Sequence, residues 1–476
     1  MRSSLLLVSA AAVTAVALLH CGSSDVALGT VEDGGYDQDA PDVSAETSID
    51  QDAGISDAAT EDEYEIPDGA VVCDASPCVV ALSGGYSTAA GGSFCALLAD
   101  KTVSCWGSNL QNQLGLEPDP EGGEPPMWGA APRRIGALSD VVSVSAGGEN
   151  TCVRIADGGV VCWGAAALVN AGIDTSAPDA APPSEAPAPP TRMSLVPPSS
   201  SVALAAGTAC VTTPAGALWC WGNNASSQLG LPASDTPVPP SRVPLGGHVI
   251  ASVHPGEGRV FAVTAGGALL SWGSASAECE LTRTCGFLLG RDTSEDPDPI
   301  PSLVPGPSGV RGVATSLSHA CAIAGAVVEC WGGNGGGELG RGTASAESLL
   351  PAPTILRSVT DAVAADAGAI APERDIPLQV VAGHGRSCAV MGSGRVYCWG
   401  AMGTKNEWGR PRMLASLSGP AVALALADGT GLSTACALLR SGVVECWGSN
   451  FLGALGRGND EIFFEDPTPA PVHFAP

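Results

Sequence analysis

Short apolar runs separated by turn residues recur from about residue 80 to the end of the chain. In each unit, one apolar run leads into a turn containing Gly, Asp, Pro or Ser, and a second apolar run ends at a Trp-Gly pair. Two β-prone runs around such a turn predict a β-hairpin. No segment strongly predicts a helix.

A Trp-Gly pair ends the second apolar run in seven units, at intervals of 48 to 68 residues. One small unit cannot bury both of its faces, so seven units are expected to stack on one another. Closing the stack into a ring leaves only short, protected edges. The pattern predicts an all-β fold, a seven-bladed β-propeller, and leaves open how the two chain ends close the ring. The repeated Trp, expected to pack between blades, are Trp106, Trp163, Trp221, Trp272, Trp331, Trp399 and Trp447.

Four units continue past the Trp with closely similar sequences: WGSNLQNQLGL (106–116), WGNNASSQLGL (221–231), WGGNGGGELGR (331–341) and WGSNFLGALGR (447–457). They resemble the regulator of chromosome condensation repeat family, whose consensus combines an apolar hairpin, Trp-Gly-x-Asn and Gly-Gln-Leu-Gly. Residues 163–173 and 399–410 are degenerate copies, and residues 272–291 carry an insertion. The resemblance covers residues 81–476 and implies the same propeller fold.

The family consensus also has a His at the start of each hairpin, and only His319 keeps it. We interpret His319 as a framework residue. Short polar residues at this place can hydrogen-bond the turn that leads into the hairpin. The other six positions hold Ser93, Asn150, Thr208, Arg259, Arg386 and Thr434.

Six hairpins carry one Cys at the start of the first strand and a second just before the Trp; the fourth has Phe261 and Ser271 instead. Directly opposed hairpin residues approach closely enough for a disulfide. Zinc knuckles use shorter Cys spacings, so disulfides are favoured over zinc. The predicted pairs are Cys95 with Cys105, Cys152 with Cys162, Cys210 with Cys220, Cys321 with Cys330, Cys388 with Cys398, and Cys436 with Cys446.

Two local pairs, Cys73 with Cys78 and Cys279 with Cys285, bring the prediction to eight intrachain disulfides. Only Cys21 of the 17 Cys is then left over. Closing a loop of about ten residues is expected to stabilise the fold by about 2.5–3 kcal/mol.

The N-terminus reads as an export signal. Arg2 precedes an apolar run from Leu5 to Leu19, which is shorter than the ~20 residues of a permanent membrane span. The run followed by Cys21 resembles a bacterial lipoprotein signal, although His20 replaces the usual small residue. The resemblance implies a signal peptide over 1–20, a lipid on Cys21 and sorting to the outer membrane. A plain secretory signal is the alternative.

Residues 21–72 differ in composition from the repeats and precede a propeller domain placed at 73–476. Between Cys21 and Val80 there are 16 acidic residues and no Lys or Arg. Such a segment buries too little apolar surface to offset its chain entropy. We interpret residues 21–72 as a disordered acidic tether, since their Asp spacing does not match a calcium-binding loop.

The formal net charge of −28 argues against nucleic-acid binding, which requires a basic face. It also argues against adsorption to anionic lipids, so membrane contact is expected only through the anchor on Cys21. No cofactor or metal site is predicted, because the His residues are scattered without ligand spacing. No catalytic constellation is convincing either. Glu149, Glu329 and Glu445 lie at or beside repeat positions, but nothing selects a pair of carboxylates.

Aromatic residues that the repeat does not require are candidate partner-binding anchors, above all Trp128, Trp408 and Phe451. Insertions between repeats also favour recognition. These are residues 171–200, interpreted as an extended spacer, residues 274–290 and residues 341–378.

The favoured function is a surface-tethered, non-catalytic binding module for an extracellular or envelope protein. A polysaccharide-binding or polysaccharide-cleaving protein is the alternative, followed by a structural envelope component. Some propellers of this family exchange guanine nucleotides on a small GTPase. The export signal, the cysteines and the acidity disfavour that function here, and a shared fold does not transfer function.

Overall fold

A computed structural model describes residues 70–74, 76–87, 91–117, 125–136, 138–176, 185–275, 288–344, 348–354, 356, 375–401, 409–414, 416–429, 432–459 and 464–474. All of these belong to one compact unit, Tyr64–Pro476. The predicted signal peptide, the lipid attachment at Cys21, the tether up to residue 69, and Trp408 lie outside the described residues.

The described strands form seven four-stranded antiparallel sheets, each made of consecutive strands. Blade 1 contains β1 (Val79–Ser87), β2 (Gly91–Leu98), β3 (Val103–Ser108) and β4 (Trp128–Arg134). Blade 2 contains β5 (Val141–Gly147), β6 (Asn150–Ile155), β7 (Val160–Gly164) and β8 (Ala188–Arg192). Blade 3 contains β9 (Ser201–Ala205), β10 (Thr208–Thr212), β11 (Leu218–Asn224) and β12 (Ser234–Arg242).

Blade 4 contains β13 (Ile250–Pro255), β14 (Arg259–Thr264), β15 (Leu269–Gly273) and β16 (Asp298–Leu303). Blade 5 contains β17 (Val310–Thr315), β18 (His319–Ala324), β19 (Val327–Gly332) and β20 (Ser348–Pro353). Blade 6 contains β21 (Pro377–Gly383), β22 (Arg386–Met391), β23 (Val396–Gly400) and β24 (Arg412–Met413). Blade 7 contains β25 (Ala421–Gly429), β26 (Leu432–Leu439), β27 (Val444–Ser449) and β28 (Glu465–Pro471). The predicted seven-bladed β-propeller is confirmed.

The ring closes without a blade shared between the two chain ends. The segment before β1 binds blade 7 instead: Val72 N donates to Arg440 O, in the turn between β26 and β27, at 2.7 Å. On the other side of the same junction, Trp106 Nε1 donates to Ala454 O at 3.0 Å and the Trp106 ring meets Phe474 edge-on. Both chain ends therefore pack on the blade 7–blade 1 junction.

The hydrophobic core lies between the blades. Seven clusters of buried side chains occupy the seven junctions, and each contains one repeated Trp together with residues of the preceding blade. All seven Trp side chains are buried. Each blade has a partner on both sides only in a closed ring. Burying the apolar faces of all seven repeats therefore requires the ring to close.

The repeated Gln-Leu-Gly loop receives the Trp of the next blade. Gly115 shows why the motif ends in Gly: its φ is +63° and an added Cβ would lie 2.8 Å from Trp163 Nε1. Upstream, Asn109 Oδ1 accepts a hydrogen bond from Leu114 N at 2.9 Å and so shapes the loop. The loop carbonyls that accept the Trp N–H bonds are those of Ala454, Gln113, Gln228, Leu288 and Glu338, for Trp106, Trp163, Trp272, Trp331 and Trp399 respectively.

Six hairpins are closed by disulfides between directly opposed residues, with Cα atoms 4.0–4.1 Å apart. In blade 1 this disulfide faces blade 2 and packs in the cluster that holds Trp163. The predicted disulfide-stapled hairpins are thus present. The bonded pairs are Cys95 with Cys105, Cys152 with Cys162, Cys210 with Cys220, Cys321 with Cys330, Cys388 with Cys398, and Cys436 with Cys446.

The two local cysteine pairs have different outcomes. Cys73 and Cys78 form a seventh disulfide in the segment before β1. Cys279 and Cys285 lie outside the described residues, so their bond stays a prediction. The structure therefore bears on seven of the eight expected disulfides, and all seven are formed.

Blade 4 has no such pair in its hairpin, and Phe261 stands directly opposite Ser271. The Phe261 ring meets Trp331 of blade 5 edge-on, with ring centres 5.5 Å apart. Ser271 Oγ donates to Leu289 O at 2.8 Å and accepts from Arg291 Nε at 3.1 Å. A ring contact and a polar network therefore occupy the place of the staple.

Arg291 and Asp298 form a buried ion pair, with 7% and 8% of their side chains exposed and 2.9 Å between Nη2 and Oδ2. Thr293 Oγ1 and Ile300 N also donate to Asp298. Burial by itself raises the pKa of Asp298, but the hydrogen bonds from Ile300 N, Arg291 and Thr293 outweigh it and hold that pKa below its usual 3.8.

The outermost strands protect the rim of the ring. Just after each outermost strand, one backbone N–H donates the last hydrogen bond to the third strand of the same blade. A Pro lies three residues before that N–H, either in the outermost strand or directly before it. A Pro has no N–H to offer to another strand, so it blunts an exposed edge. The seven residues are Pro132, Pro190, Pro240, Pro301, Pro351, Pro411 and Pro469.

Two details of the sequence interpretation are wrong. A short helix, α1 (Ala166–Ala171), occupies the degenerate copy after Trp163 and buries Leu168 and Val169. The Ala- and Pro-rich stretch 171–200 is not only a spacer, because Ala188–Arg192 is the outer strand of blade 2. Proline composition masked this strand, although Pro suits an edge.

Candidate binding face and central cavity

The antiparallel order of the strands divides the connections of the ring between two faces. The turns between first and second strands and the loops between third and fourth strands lie on one face, here called the cavity face. The turns between second and third strands and the connections between blades lie on the opposite face. All the Gln-Leu-Gly loops therefore start from the cavity face.

A cavity of about 690 Å³ opens on the cavity face at the centre of the ring, lined by residues of all seven blades. Its walls come mainly from the ends of the innermost strands and the turns that follow them. Backbone dominates these walls because the strand ends are rich in Gly and Ala. The volume lies within the ~300–1,000 Å³ typical of ligand-binding clefts.

The wall glycines let the blades meet. A Cβ added to Gly85 of blade 1 would lie 2.8 Å from the backbone of Gly147 in blade 2. A Cβ added to Gly147 would lie 2.6 Å from Leu204 O in blade 3. Side chains at these positions would push neighbouring blades apart, so the cavity takes its side-chain chemistry from residues nearer the mouth.

Three carboxylates and one imidazole line the cavity: Glu149, Asp235, Glu257 and His384. The acidic residues come from consecutive blades 2, 3 and 4, and His384 comes from blade 6. Asp235, Glu257 and His384 are exposed, and Glu149 is half-buried. The mouth therefore carries three acidic groups.

One buried cation lies behind this wall. Arg259 Nη1 donates to Ser316 O at 2.5 Å and Nη2 to Leu317 O at 3.3 Å, and both acceptor residues line the cavity. Burial, opposed by the charges of Glu257 and Asp296, lowers the pKa of Arg259 to about 10. Arg259 is therefore still charged at neutral pH and offsets part of the acidic mouth.

His319 joins two blades. Its Nδ1 lies 2.9 Å from Ser316 Oγ and its Nε2 lies 2.7 Å from Ser387 Oγ of blade 6. The His319 imidazole is fully buried. This burial, together with the charges of Arg259 and His384, lowers the pKa of His319 to about 3. A neutral, enclosed imidazole with two hydroxyl partners is suited to holding blades together.

Three of the four short polar residues at the other consensus positions bind a different loop from the one expected, while the Ser93 hydroxyl is buried without a partner among the described residues. Thr208 Oγ1 donates to Asn223 O at 3.0 Å, and Thr434 Oγ1 donates to Ser449 O at 2.6 Å. Asn150 Nδ2 likewise donates to Ala165 O at 2.9 Å. In each case the acceptor lies two residues after the repeated Trp, so these side chains anchor the start of the outer loop rather than the approach turn.

Two of the three predicted partner-binding residues come together. The 3-10 turn Phe451–Gly453 of blade 7 packs against β4, which begins with Trp128. Asn109 N donates to Met127 O at 2.8 Å, which brings the neighbouring Leu110 to the same part of the cavity face. Met127 is 58% exposed and Leu110 41%. We call Leu110, Met127, Trp128 and Phe451 the junction patch.

The structure does not pair the carboxylates considered for catalysis. Glu329 lies on β19 of blade 5, where burial raises its pKa. Glu445 lies on β27 of blade 7, buried, and accepts a hydrogen bond from Ser418 N at 3.1 Å. Among the described residues, no three His, Cys, Asp or Glu side chains are grouped to hold a metal ion, and no helix is long and apolar enough to cross a membrane.

Sequence reasoning singled out Glu149 but missed Glu257 and His384. Both precede the consensus His position of their repeat by two residues. Aligning the turns of the seven copies would therefore have marked them as residues of the central cavity. No sequence signal marked Asp235, because it lies on the outer strand β12.

The chain shares its fold with propellers of the regulator of chromosome condensation type. No protein-family model and no curated protein sequence matches it. Prp20p from Saccharomyces cerevisiae is 18% identical with a TM-score of 0.59, and the match covers 78% of this chain and 85% of that one. Human WBSCR16 is 20% identical with a TM-score of 0.57, covering 74% and 85%. Prp20 crystallised with Kap60 is 17% identical with a TM-score of 0.58, covering 89% and 91%.

Proposed function

We propose that this chain is an exported, envelope-tethered module that binds a protein partner through its cavity face and has no catalytic activity. The observation that carries the proposal is the cavity face itself, where a polar cavity shares one rigid ring with the junction patch, in which Leu110 and Met127 are exposed and Trp128 and Phe451 half-buried. Loops mounted on a rigid scaffold are the usual place for recognition.

The solved structures support a protein partner rather than name one. Prp20p has been described with binding properties to Gsp1p and histones, and Prp20 was crystallised with Kap60. Identity below 25% carries the fold alone, so those partners belong to those proteins. What this chain shares with them is a disk able to present one face to another protein.

Export is supported by the disulfides and by the signal-like N-terminus. The seven disulfides formed among the described residues are typical of a protein that folds in an oxidising compartment. We propose that the lipid on Cys21 anchors the chain to the outer membrane through the acidic tether. Labelling cells with a radioactive fatty acid should mark the wild-type chain and not Cys21→Ser; equal labelling of both would contradict the anchor.

Capture of envelope extract on the immobilised, oxidised chain tests the binding function. We expect one protein to bind saturably, and Trp128→Ala to weaken it by about 2 kcal/mol or more, the scale of an aromatic hot spot. Val249→Ser is the matched control, because Val249 is 51% exposed on the opposite face. Retention or trimming of cell-wall polysaccharide with no bound protein would contradict the proposal.

A further inference from the structure

One of the seven described disulfides differs from the others in its surroundings. Each of the six hairpin disulfides joins opposed residues of two strands, and their cysteines are at most 4% exposed. Cys73 and Cys78 instead join two points of the segment before β1, at a sequence separation of 5. Because Cys73 is exposed, a thiol in solution reaches this disulfide without opening a blade.

Cys78 is fixed to the ring. Its carbonyl accepts a hydrogen bond from Ala99 N, in the turn between β2 and β3, at 2.9 Å. The carbonyls of Asp140 in blade 2 and Val249 in blade 4 accept the equivalent bond from the turns of their own blades. Cys78 is 9% exposed, and its Sγ lies against Gly442 of blade 7, where an added Cβ would be 2.7 Å away. This half of the disulfide is therefore part of the blade 7–blade 1 junction.

Cys73 belongs to a short segment, residues 70–74, here called the strap. The strap lies along the turn between β26 and β27 of blade 7. Val72 N donates to Arg440 O at 2.7 Å, and Asp74 N donates to Ser441 O at 3.0 Å. The strap is thus bound to blade 7, whereas the strand that follows it, β1, belongs to blade 1.

The strap lies at the one junction of the ring that has no peptide connection. At the other six junctions, the chain runs from the outer strand of one blade into the first strand of the next. Blade 7 ends with β28 and blade 1 begins with β1, so their junction depends on packing and hydrogen bonds. Val71 of the strap is partly buried in the apolar cluster of this junction. The disulfide holds the strap in that position.

We propose that Cys73 and Cys78 form a thiol–disulfide exchange site, which a dithiol reductant of the envelope opens to release the strap from blade 7. This inference goes beyond the proposed function and shares with it only the export of the chain. It assigns a redox role to one disulfide and a purely structural role to the six in the hairpins.

Exposure determines the order of the exchange. One thiolate of the reductant attacks Sγ of the exposed Cys73 and forms a mixed disulfide, while the original S–S bond breaks and Cys78 Sγ leaves as a thiolate. The second thiolate of the reductant then attacks the reductant's own sulfur in the mixed disulfide and frees Cys73. Two electrons pass to the protein, the reductant becomes a disulfide, and its two thiol protons end on Cys73 and Cys78.

Reduction removes the covalent link between the strap and the start of β1. Val72, Cys73 and Asp74 are all exposed, so the strap buries little apolar surface. Segments with few buried contacts open locally at a low cost in free energy. We therefore expect the strap to detach while the hairpins stay closed by their own disulfides.

The first test treats the full, oxidised chain with dithiothreitol in native buffer, then alkylates the free thiols and locates them by peptide mass spectrometry. The buried pair Cys436 and Cys446 in blade 7 is the internal control. We expect Cys73 and Cys78 to be labelled faster than this pair by about tenfold or more, because access controls the exchange rate. Equal labelling of the two pairs, or faster labelling of the hairpin pair, would overturn the exchange site.

A monothiol tests the order of attack. After brief treatment with reduced glutathione and an acid quench, we expect the glutathione adduct on Cys73, the exposed cysteine. An adduct mainly on Cys78 would overturn the assigned order.

Hydrogen exchange of the full chain tests the release of the strap. After reduction and alkylation, we expect the amides of Val72 and Asp74 to exchange faster by about tenfold or more, as in a locally opened segment. Oxidised Cys73→Ser with Cys78→Ser should show the same change without reductant. Peptides from β14 of blade 4 are the control and should keep their protection. A strap that is equally protected before and after reduction would overturn the proposed release.

Discussion

Blade 4 and the six disulfide-closed blades fill the same position in two ways. In the six, a cysteine pair joins the two middle strands and faces the Trp of the next blade, as Cys95 and Cys105 do in blade 1. In blade 4, Phe261 supplies the apolar contact with that Trp, and Ser271 enters a polar network with Arg291. In the six blades, one disulfide joins the two strands and also packs against the Trp. In blade 4, Phe261 provides the packing and Ser271 provides the hydrogen bonds.

Blades 4, 5 and 7 have an Arg at the same position of the repeat, and its hydrogen bonds differ between blade 4 and the two disulfide-closed blades. Arg341 in blade 5 and Arg457 in blade 7 donate from Nη2 to the carbonyls of Cys330 and Cys446 at 2.6 Å, while their Nε atoms are buried without a partner among the described residues. In blade 4 the equivalent Arg291 bonds Ser271 O, and its Nε also finds the Ser271 hydroxyl. Replacing Cys by Ser thus satisfies a donor that these two disulfide blades leave unpaired.

The comparison shows how a repeat protein tolerates the loss of one staple. Each blade contacts only its two neighbours, so a local substitute is sufficient. The substitute depends on charge and hydrogen bonding, whereas the disulfide depends on redox conditions. The two kinds of blade are therefore expected to fail under different conditions.

The largest effect is expected from breaking the ion pair of blade 4. Arg291→Met leaves the Asp298 carboxylate buried without its cation, which typically costs about 3–5 kcal/mol of unfolding free energy. Denaturant unfolding of the oxidised chain measures it. The control is Arg134→Met, because the Arg134–Asp100 pair is more than half exposed and such pairs contribute only about 0–1 kcal/mol. Equal effects of the two substitutions would contradict the role of the network.

Among the changes measured at neutral pH, removing one staple should have the next largest effect. Cys436→Ala combined with Cys446→Ala opens a loop of ten residues, and we expect a loss of about 2.5–3 kcal/mol. Measured under strong reducing conditions, the same double variant should differ little from the reduced wild type. A loss of equal size under both conditions would mean that packing rather than the cross-link is responsible.

Acid should weaken blades 4 to 6, because Asp298 in blade 4 and His319, which joins blades 5 and 6, both titrate there. The pKa of His319 lies near 3 in the fold against an ordinary 6.5, so the unfolded chain binds this proton first. Its contribution is lost as the pH falls from 6.5 toward 3, at up to about 1.4 kcal/mol per pH unit. The lowered pKa of Asp298 adds a further loss below pH 3.8.

Unfolding free energies measured from about pH 7 to pH 3 test this prediction. His319→Gln should flatten the slope between pH 6.5 and 3, because the side chain that takes up the proton is gone. Cys436→Ala with Cys446→Ala is the control and should leave the slope unchanged, since the disulfide does not titrate. An unchanged slope in His319→Gln would contradict the assigned pKa direction.

The smallest effect is expected from the difference in stability between Phe substitutions at two of the repeated tryptophans. Trp163 Nε1 donates to Gln113 O at 2.9 Å, whereas Trp221 Nε1 is buried without a partner among the described residues. Both lose the same ring volume on substitution by Phe. Trp163→Phe should therefore be about 1 kcal/mol more destabilising than Trp221→Phe, the value of one hydrogen bond. A Trp221→Phe chain that is equally or more destabilised would contradict the stabilising role of the Trp163 N–H hydrogen bond.

The fold followed from the sequence because its signal is local and repeated seven times. The hairpin, the Trp and the paired cysteines lie within a few residues of one another in each copy, and Phe261 with Ser271 marked blade 4 as the exception. The helix Ala166–Ala171 was missed because six residues are too few to show a helical period.

The candidate site could not be predicted in the same way. The cavity exists only once the ring is closed, and it joins Glu149 to residues of blades that are distant in the chain. Trp128 and Phe451 were singled out as unexplained aromatics, but their proximity depends on closure between blades 7 and 1. Arg291 recurs in the repeats as Arg341 and Arg457, but the sequence does not show that its partner Asp298, the first residue of β16, is buried with it.

The central claim is that one face of the ring binds a protein partner. The most direct measurement places a photo-crosslinking amino acid at Leu110 on the cavity face, or at Val249 on the opposite face, of the full chain in the cells that make it. We predict one discrete crosslinked protein from position 110 and none from position 249. Equal crosslinking from both faces, or none from position 110, would contradict the claim.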